Sequence, residues 1–464
     1  MDHGKVTALF ERQIKGHNMK LFSPVLGICA CLAGWNVSAG DIEFRDAFLS
    51  GSLEWSEVEA KAAEEGAVNI HYWGGDDLLN VWMGQVVAAE MSRRGVTVNA
   101  VPITATKDAI DLVLAEKGAG RGIGEGSVDL IWVNGENFAA LKRQDALFGG
   151  FARLLPNARN LEWDDTDPRS VLNLRDFGVS TGAAEVPWSS EQYVCAVNTA
   201  FVNSEQVPAT FEQMEDYLRE NPGKFTYVKP PHYLGNTFVQ EAIYAHNPDG
   251  TGANPFQSSI DDISADEFAR LIAPGIAYLQ EIEPYLLDGS DGSAHYPEDN
   301  KELDGLFLNG EVHFNCKFGL YAAATGLATG SYPAEAEQFV FPEGAMIKNK
   351  SYLVIPANAP HPAAALLLAD WMTSVDSQVS KLAAVGMPSG IDSWRLSKVD
   401  AERLAEASPG LIGVTQAALD ANAAPDTNAT LVNIIEAVWL EVIERDSERP
   451  LSEIVEALYE TLGE

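Results

Sequence analysis

Several residue groups in this chain are of the types that catalysis or ligand capture requires. The run Gly178-Val-Ser-Thr-Gly182 matches the G-x-S-x-G pattern that presents a serine nucleophile, and His71, His232, His246, His295, His313 and His361 are available as its base. That elbow needs a buried strand before the serine and a helix after it, whereas the flanks here, "NLRDF" and "AAEVPW", fit neither requirement. No catalytic residue is assigned. The cluster "GAGRGIGEG" over 118–126 has the composition of a phosphate loop. It stands after a helical pattern and before a strand pattern, the reverse of the order that offers phosphate a helix N-terminus, and so reads as a connection. There is no H-E-x-x-H, Walker lysine motif or metal-type cysteine pair, and neither a metal nor a cofactor is expected.

What remains is the chemistry of recognition. "HYWGGDD" over 71–77 sets two aromatics, two glycines and two carboxylates where an apolar run ends. One of Asp76 and Asp77 is expected to cap the following helix, while Tyr72, Trp73 and Gly74 are expected at a ligand. Similar loops follow: "IWVNGENF" with Trp132, Asn134 and Glu136, "VPWSSEQY" with Trp188 and Ser189, "PPHYLGNTF" with Pro231, Tyr233, Asn236 and Thr237, and "FNCKFG" with Asn315 and Phe318. Aromatic walls with a few polar anchors at strand ends hold a solute without transforming it. Packing and ligand stacking are both open for Trp73 and Trp132, and Glu136 also reads as a first-turn helix residue. Trp82 and Trp371 stand at helical core spacing and read as packing residues.

The elements that must position these loops alternate. Strand patterns over 68–72, 96–103 and 128–133 are each followed by a helical pattern, over 78–94, 107–117 with Thr106 as cap, and 136–144, which is a parallel sheet covered by helices. A Pro, Asn and Asp-rich passage over 155–169 precedes a second α/β segment. There a strand over 192–202, a helix opened by Thr210 and Gln213, a strand over 225–228, a helix opened by Thr237 and Gln240, a long helix from Ser264 to about Leu287 and a strand over 311–315 are expected. A strand over 352–355 and a helix over 362–372 resemble the first segment again, and helices over 431–444 and 451–462 close the chain. Two segments with two crossings between them leave a cleft, the default ligand site.

The chain has 464 residues, 46% hydrophobic and 21% charged, enough for two lobes. Its formal net charge of -36 repels nucleic acid and anionic membranes. From Met19 the sequence "MKLFSPVLGICACLAGWNVSAGD" reads as a secretory signal peptide cut after Ala39, with residues 1–18 an upstream extension. The mature chain then keeps two cysteines, Cys195 and Cys316, either one disulfide or two buried thiols.

The stretches "VDLIWVNGENFAALKRQDALFGGFARLLPN" (128–157), "NPGKFTYVKPPHYLGNTFVQEAIY" (221–244), "GLFLNGEVHFNCKFG" (305–319) and "FPEGAMIKNKSYLVIPANAPHPAAALLLADWM" (341–372) resemble the type II solute-binding proteins of ABC importers, and most of all their YnjB-type, thiamine-like transport branch. The resemblance implies a periplasmic-binding-protein type II fold, α/β and two-lobed, each lobe a mainly parallel sheet flanked by helices around an interlobe cleft. It implies residues 1–39 as extension and signal peptide, 40–185 as the first part of lobe one, 186–340 as lobe two, 341–395 as a return to lobe one, and 396–464 as C-terminal helices mainly on lobe two. By position, Trp73, Gly74, Asn134 and Glu136 would line the cleft from lobe one, and Trp188, Pro231, Thr237 and Asn315 from lobe two; Tyr72 and Asn236 complete the expected set. Ferric-ion binders of this superfamily use adjacent tyrosines late in lobe two, where this chain has only Tyr321. The expected partners are a small solute, such as a thiamine-like cation, and a permease in the cytoplasmic membrane, with no nucleic acid. The expected state is a periplasmic monomer that is not an enzyme; a secreted enzyme on the same two-lobed scaffold is the alternative.

Overall fold

The computed structural model describes residues 39–462. The expected extension and signal peptide fall outside the described residues, except for Ala39. Strand β1 (Ala67–Trp73) buries Val68, Ile70 and Tyr72 on one face, so period-two alternation turns Trp73 to the other. It pairs in parallel with β2 (Thr97–Ile103) and β3 (Leu130–Val133). Beyond a small hairpin, β4 (Arg175–Asp176) and β5 (Val179–Ser180), comes the long strand β6 (Glu185–Asn198). With β7 (Phe314–Phe318), β8 (Ala336–Phe339), β9 (Met346–Val354) and β10 (Ala423–Ala424), these strands form one mixed sheet in the order β2-β1-β3-β9-β6-β7, with β8 beside β6 and β10 beside β9.

The α/β character expected from the sequence holds, but the second half of the sheet is not parallel. There β6 meets β7, β8 and β9 antiparallel. The reason is that β6 and β9 are long enough to serve both halves: β6 pairs with β9 from Glu185 to Gln192, then with β7 from Tyr193 to Val197. The β6–β9 register slips between Pro187 and Ser189. Proline has no N–H to give the ladder, and a slip at that point is a bulge that redirects the intervening side chain, Trp188.

Two large hydrophobic cores lie along this sheet. One gathers Phe48, Ile70, Trp82, Trp188, Leu353 and Trp371; the other gathers Tyr193, Phe238, Ile272, Phe314, Ile435 and Trp439. Trp82 and Trp371 stack with ring centres 6.0 Å apart, and Trp82 Nε1 donates to Ser380 Oγ at 2.9 Å. Cys195 and Cys316 face each other across β6 and β7 and are disulfide-bonded. No helix among the described residues is long and apolar enough to cross a membrane.

Several local expectations are corrected. Residues 225–228 form no ladder; their backbone pairs instead with loops, Leu287 N–H donating to Phe225 O at 2.9 Å. The next helix runs Tyr233–Ala245 and is capped by His232 Nδ1, which accepts from Leu234 N–H, so the Thr237 and Gln240 pair lies inside it. Strand β6 begins at Glu185 rather than 192, because β9 offers it a partner over its whole first half. β7 lies three residues later than expected, and Ala105, not Thr106, flanks the helix Thr106–Gly118.

Candidate ligand-binding site

The helix after β1, Asp77–Trp82, starts because Asp76 Oδ1 accepts Leu79 N–H at 2.8 Å. Ahead of it, the backbone folds tightly around Trp73. Gly74 N–H donates to Ile103 O at 2.9 Å, and a Cβ on Gly74 would come within 2.4 Å of Pro102 Cβ. A Cβ on Gly75 would lie 2.1 Å from the Trp73 ring, so this position must be glycine for the indole to lie where it does. The two glycines therefore make room for Pro102 and for the Trp73 ring.

With its position fixed in this way, Trp73 joins a row of rings that spans the two cores. Its edge meets Trp132 at 6.2 Å and Tyr233 at 6.4 Å, both close to perpendicular. Trp132 in turn meets Trp188 at 4.9 Å, and Tyr233 stacks on Phe318 at 6.2 Å. Trp73 and Trp132 are partly exposed and Tyr233 is 42% exposed, so the row opens to solvent. Trp188 is buried beneath it with the Lys381 ammonium 4.7 Å above its ring, and its Nε1 has no partner. Lys381 Nζ donates to Trp188 O at 2.7 Å and Pro388 O at 2.8 Å; burial holds its pKa well below the usual lysine range.

Several carboxylates stand on the elements that carry these rings, or bond to them. Glu136 opens the helix Gly135–Arg143 directly after β3; burial, with the nearby Glu436 adding repulsion, pushes its pKa up to about 7. Glu436 stands on the helix Ala429–Trp439 and accepts Asn236 Nδ2 at 3.1 Å; burial raises it too. Asp426, which accepts Asn349 Nδ2 at 3.4 Å, is raised to about 8 by burial, with repulsion from Glu136 adding to it. Glu191 is also raised by burial to about 8, although its Oε2 accepts Leu320 N–H at 3.0 Å. Asp176 Oδ2 takes Gly135 N–H at 2.6 Å, and nearby Glu185 is fully buried with neither carboxylate oxygen bonded.

The expected residues divide into groups. Trp73 and Trp188 belong to the aromatic row, at its mouth and its floor. Asn236 stands one helical turn beyond Tyr233, buried, its Nδ2 spent on Glu436 Oε2 and Pro231 O and its Oδ1 without a donor. Asn134 hydrogen-bonds Lys350 O and Ser351 Oγ beside Glu136. Tyr72 points into the first core, its hydroxyl on Asn80 Oδ1 at 3.0 Å. Thr237 bonds back to Tyr233 O inside its helix, and Pro231 is exposed at a cis peptide ahead of it. Asn315 lies on the face of β7 away from Phe314 and Phe318, with its Nδ2 on Asp304. The candidates Gly178–Gly182 form part of a hairpin; together with Leu49, Arg153 and Leu174, Ser180 to Gly182 line a separate recess of 820 Å³.

Glu436 and Glu191 were missed by sequence reasoning. Each is a lone carboxylate in an apolar element, "LVNIIEAVWL" and "SSEQYVCAV", and that incongruity was the available signal. Among the described residues no group of three or more His, Cys, Asp or Glu is arranged to hold a metal ion.

Comparison with known proteins follows the same outline. Residues 85–433 match a family described as bacterial extracellular solute-binding protein. The chain is 32% identical over 390 residues to Protein YnjB of Escherichia coli (strain K12), covering 83% of this chain and 93% of that protein. Among solved structures it is similar to the cyclic alpha-maltosyl-1,6-maltose binding protein from Arthrobacter globiformis, at TM-score 0.55 and 14% identity over 85% of this chain and 97% of that one. An ABC transporter substrate-binding protein from Bradyrhizobium japonicum USDA 110 gives TM-score 0.54 at 15% identity, covering 86% and 100%. The spermidine/putrescine ABC transporter substrate-binding protein PotD from Streptococcus pneumoniae gives 0.50 at 13%, covering 78% and 92%. At these identities the structures share a fold.

Proposed function

The chain belongs to the bacterial extracellular solute-binding proteins, and from that premise we propose that it is the solute-binding component of an ABC transporter whose cargo is a small, ring-bearing, thiamine-like cation. The observation that carries this reading is the Trp132–Trp73–Tyr233 row together with Glu136, on the helix directly after the Trp132 strand, and Glu436, which accepts Asn236 Nδ2 one helical turn beyond Tyr233. A delocalised cation over an aromatic face gains about 0.5 to 2 kcal/mol, and carboxylates in a poorly solvated cleft add a counter-charge that a neutral solute would not use. We take residues 40–185 and 341–395 as one lobe and 186–340 and 396–464 as the other, hinged on β6 and β9. The cargo closes them because only the closed form touches it from both sides. The protein works as a periplasmic monomer that hands its cargo to a membrane permease.

The raised carboxylates Glu136, Asp426 and Glu191 are also what an enzyme with acid and base groups would show. The transport reading is preferred because these groups stand beside recognition aromatics in a chain of a transport family. Titration calorimetry of the refolded mature chain against thiamine, with spermidine and maltose as comparators, tests the proposal. Heat with thiamine and none with maltose is expected; absence of heat at high micromolar thiamine sinks the thiamine-like cargo.

A further inference from the structure

Resting on the cationic-cargo reading, we propose that Glu191 is the residue that selects for charge: its carboxylate meets the positive centre of the cargo while the rings hold the flat part. The course of the aromatic row points to it. Trp188 meets Trp132 at 4.9 Å, Trp132 meets Trp73 at 6.2 Å, Trp73 meets Tyr233 at 6.4 Å and Tyr233 stacks on Phe318 at 6.2 Å. Phe318 then packs on Tyr193, its partner across the β6–β7 ladder, at 5.4 Å. The row therefore leaves β6 at Trp188 and returns to β6 at Tyr193. Glu191 lies on the short piece of strand between the two.

Strand register fixes its face. Glu191 is two residues from Tyr193, so the two side chains stand on the same side of the sheet. Opposite Glu191 on β9 is Asn349, and opposite Ser189 is Ser351, whose Oγ takes Asn134 Nδ2 at 3.2 Å. This face of the ribbon thus runs from Asn134, next after the Trp132 strand, to Phe318, with Glu191 midway. Of the two carboxylates of β6, Glu185 is fully buried, whereas Glu191 is partly exposed. Its Oε2 takes Leu320 N–H at 3.0 Å, which holds the side chain, and its Oε1 takes no side-chain donor. Glu136 and Glu436 differ in this, since each already accepts a side-chain amide, from Asn137 and Asn236.

No counter-ion answers Glu191. The lysines of the neighbouring strands are spent elsewhere, Lys317 of β7 on Asp304, and Lys348 and Lys350 of β9 on Asp420 and Asp392. Lys381, whose charge also acts on Glu191, is held by Trp188 O and Pro388 O. Among the described residues no Lys, Arg or His makes an ion pair with Glu191. A neutral solute that covers an unpaired carboxylate strips its water and returns nothing, while a cation supplies the missing charge, so the same group attracts one and rejects the other.

The test is calorimetric titration of the folded mature protein with thiamine and with thiochrome, its flat uncharged relative. It is run at about pH 8.5, above the value of about 8 to which burial lifts Glu191, so that the carboxylate is charged at the start. Glu191→Gln keeps an acceptor for Leu320 N–H and removes the charge. It should weaken thiamine binding about 10- to 100-fold and leave thiochrome binding no weaker than in the wild type. Glu191→Asp should retain more of the thiamine affinity than Glu191→Gln. If the glutamine variant does not fold, Glu191→Ser should likewise lose thiamine more than thiochrome. Unchanged thiamine affinity in a folded uncharged variant, or an equal loss for both ligands, overturns the selection by Glu191 and leaves the cargo reading intact. If neither thiamine nor spermidine binds the wild-type protein at millimolar concentration, the cargo reading falls and the selection with it.

Discussion

Gly75→Ala isolates what the loop after β1 contributes. The added methyl would sit 2.1 Å from Trp73 Cζ2 and 2.5 Å from Cε2, well inside contact distance, so the indole must swing away. Gly75 has an ordinary backbone conformation, and the helix cap at Asp76 is one residue further on, so the chain itself has no reason to rearrange. What is lost is the pair of edge contacts to Trp132 and Tyr233. At about 0.5 to 1.5 kcal/mol for each aromatic pair, displacement removes about 1 to 3 kcal/mol of organisation from the row, or about 5- to 150-fold in affinity for a solute that stacks on it. Near-UV circular dichroism reads the Trp73–Trp132 geometry without any ligand, and calorimetry with thiamine reads the affinity. Gly74→Ala is the control, because its methyl meets Pro102 at 2.4 Å and strains the join of β1 to β2. That variant should lose about 1 to 3 kcal/mol of stability by overpacking. A Gly75→Ala protein with the wild-type near-UV spectrum would refute the claim that this glycine sets the indole.

Other perturbations have equally definite outcomes. Lys350→Met removes the buried ammonium that bonds Asn173 Oδ1, Gly390 O and Asp392 Oδ1, and leaving Asp392 uncompensated should cost about 3 to 5 kcal/mol in urea unfolding. Replacing Cys195 and Cys316 by serine opens a link across a sequence separation of 121, which chain entropy puts at about 5 kcal/mol, measured as the fall in the denaturant midpoint under oxidising conditions. The pKa values of Glu136 and Glu65 are raised to about 7, and those of Asp426 and Glu191 to about 8. As pH rises, the unfolded chain loses these protons first, so the stability these groups contribute is full below about pH 4 and falls through pH 8. The melting temperature should be lower at pH 8 than at pH 5.5. The depressed Asp167, at about 2, acts only below pH 4 and does not alter that sign.

The first half of the fold was legible because each element carries its own pattern. Val68, Ile70 and Tyr72 alternate, Asp76 caps, and the helical segments Asp77–Trp82 and Ala88–Arg93 continue through a short π segment over Met83–Val87. The second half was less so, because its boundaries depend on partners distant in sequence. Nothing local announces that Pro187 to Ser190 lie in a strand; β9, more than 150 residues on, makes them one. The same applies to the site. Trp73 and Trp188 could be picked out as aromatics near strand ends, but the carboxylate that accepts Asn236 Nδ2 comes from a helix that sequence patterning reads as core, where Glu436 follows Ile434 and Ile435. Tyr72 and Asn315 face away from the aromatic row for one reason: adjacent residues of a strand face opposite sides, and sequence alone does not say which face the row takes.

The bulge at Trp188 ties the connecting strands to the aromatic row. β6 and β9 are strands that both cores share, and their one register slip sends the Trp188 ring against Trp132. Trp188 O accepts from both Lys381 Nζ and Gln378 Nε2 at 2.7 Å, and Lys381 Nζ also holds Pro388 O, so the helix Val375–Val385 fixes the slip from outside the sheet. A change in the angle between β6 and β9 would move the floor of the row relative to Trp73, which its own glycines hold against β2. If a flat solute stacks on the Trp73 face, as proposed, its binding selects one angle of the β6–β9 ribbon over others. Coupling of this kind needs no relay of side chains, because the row and the ribbon share the same tryptophan.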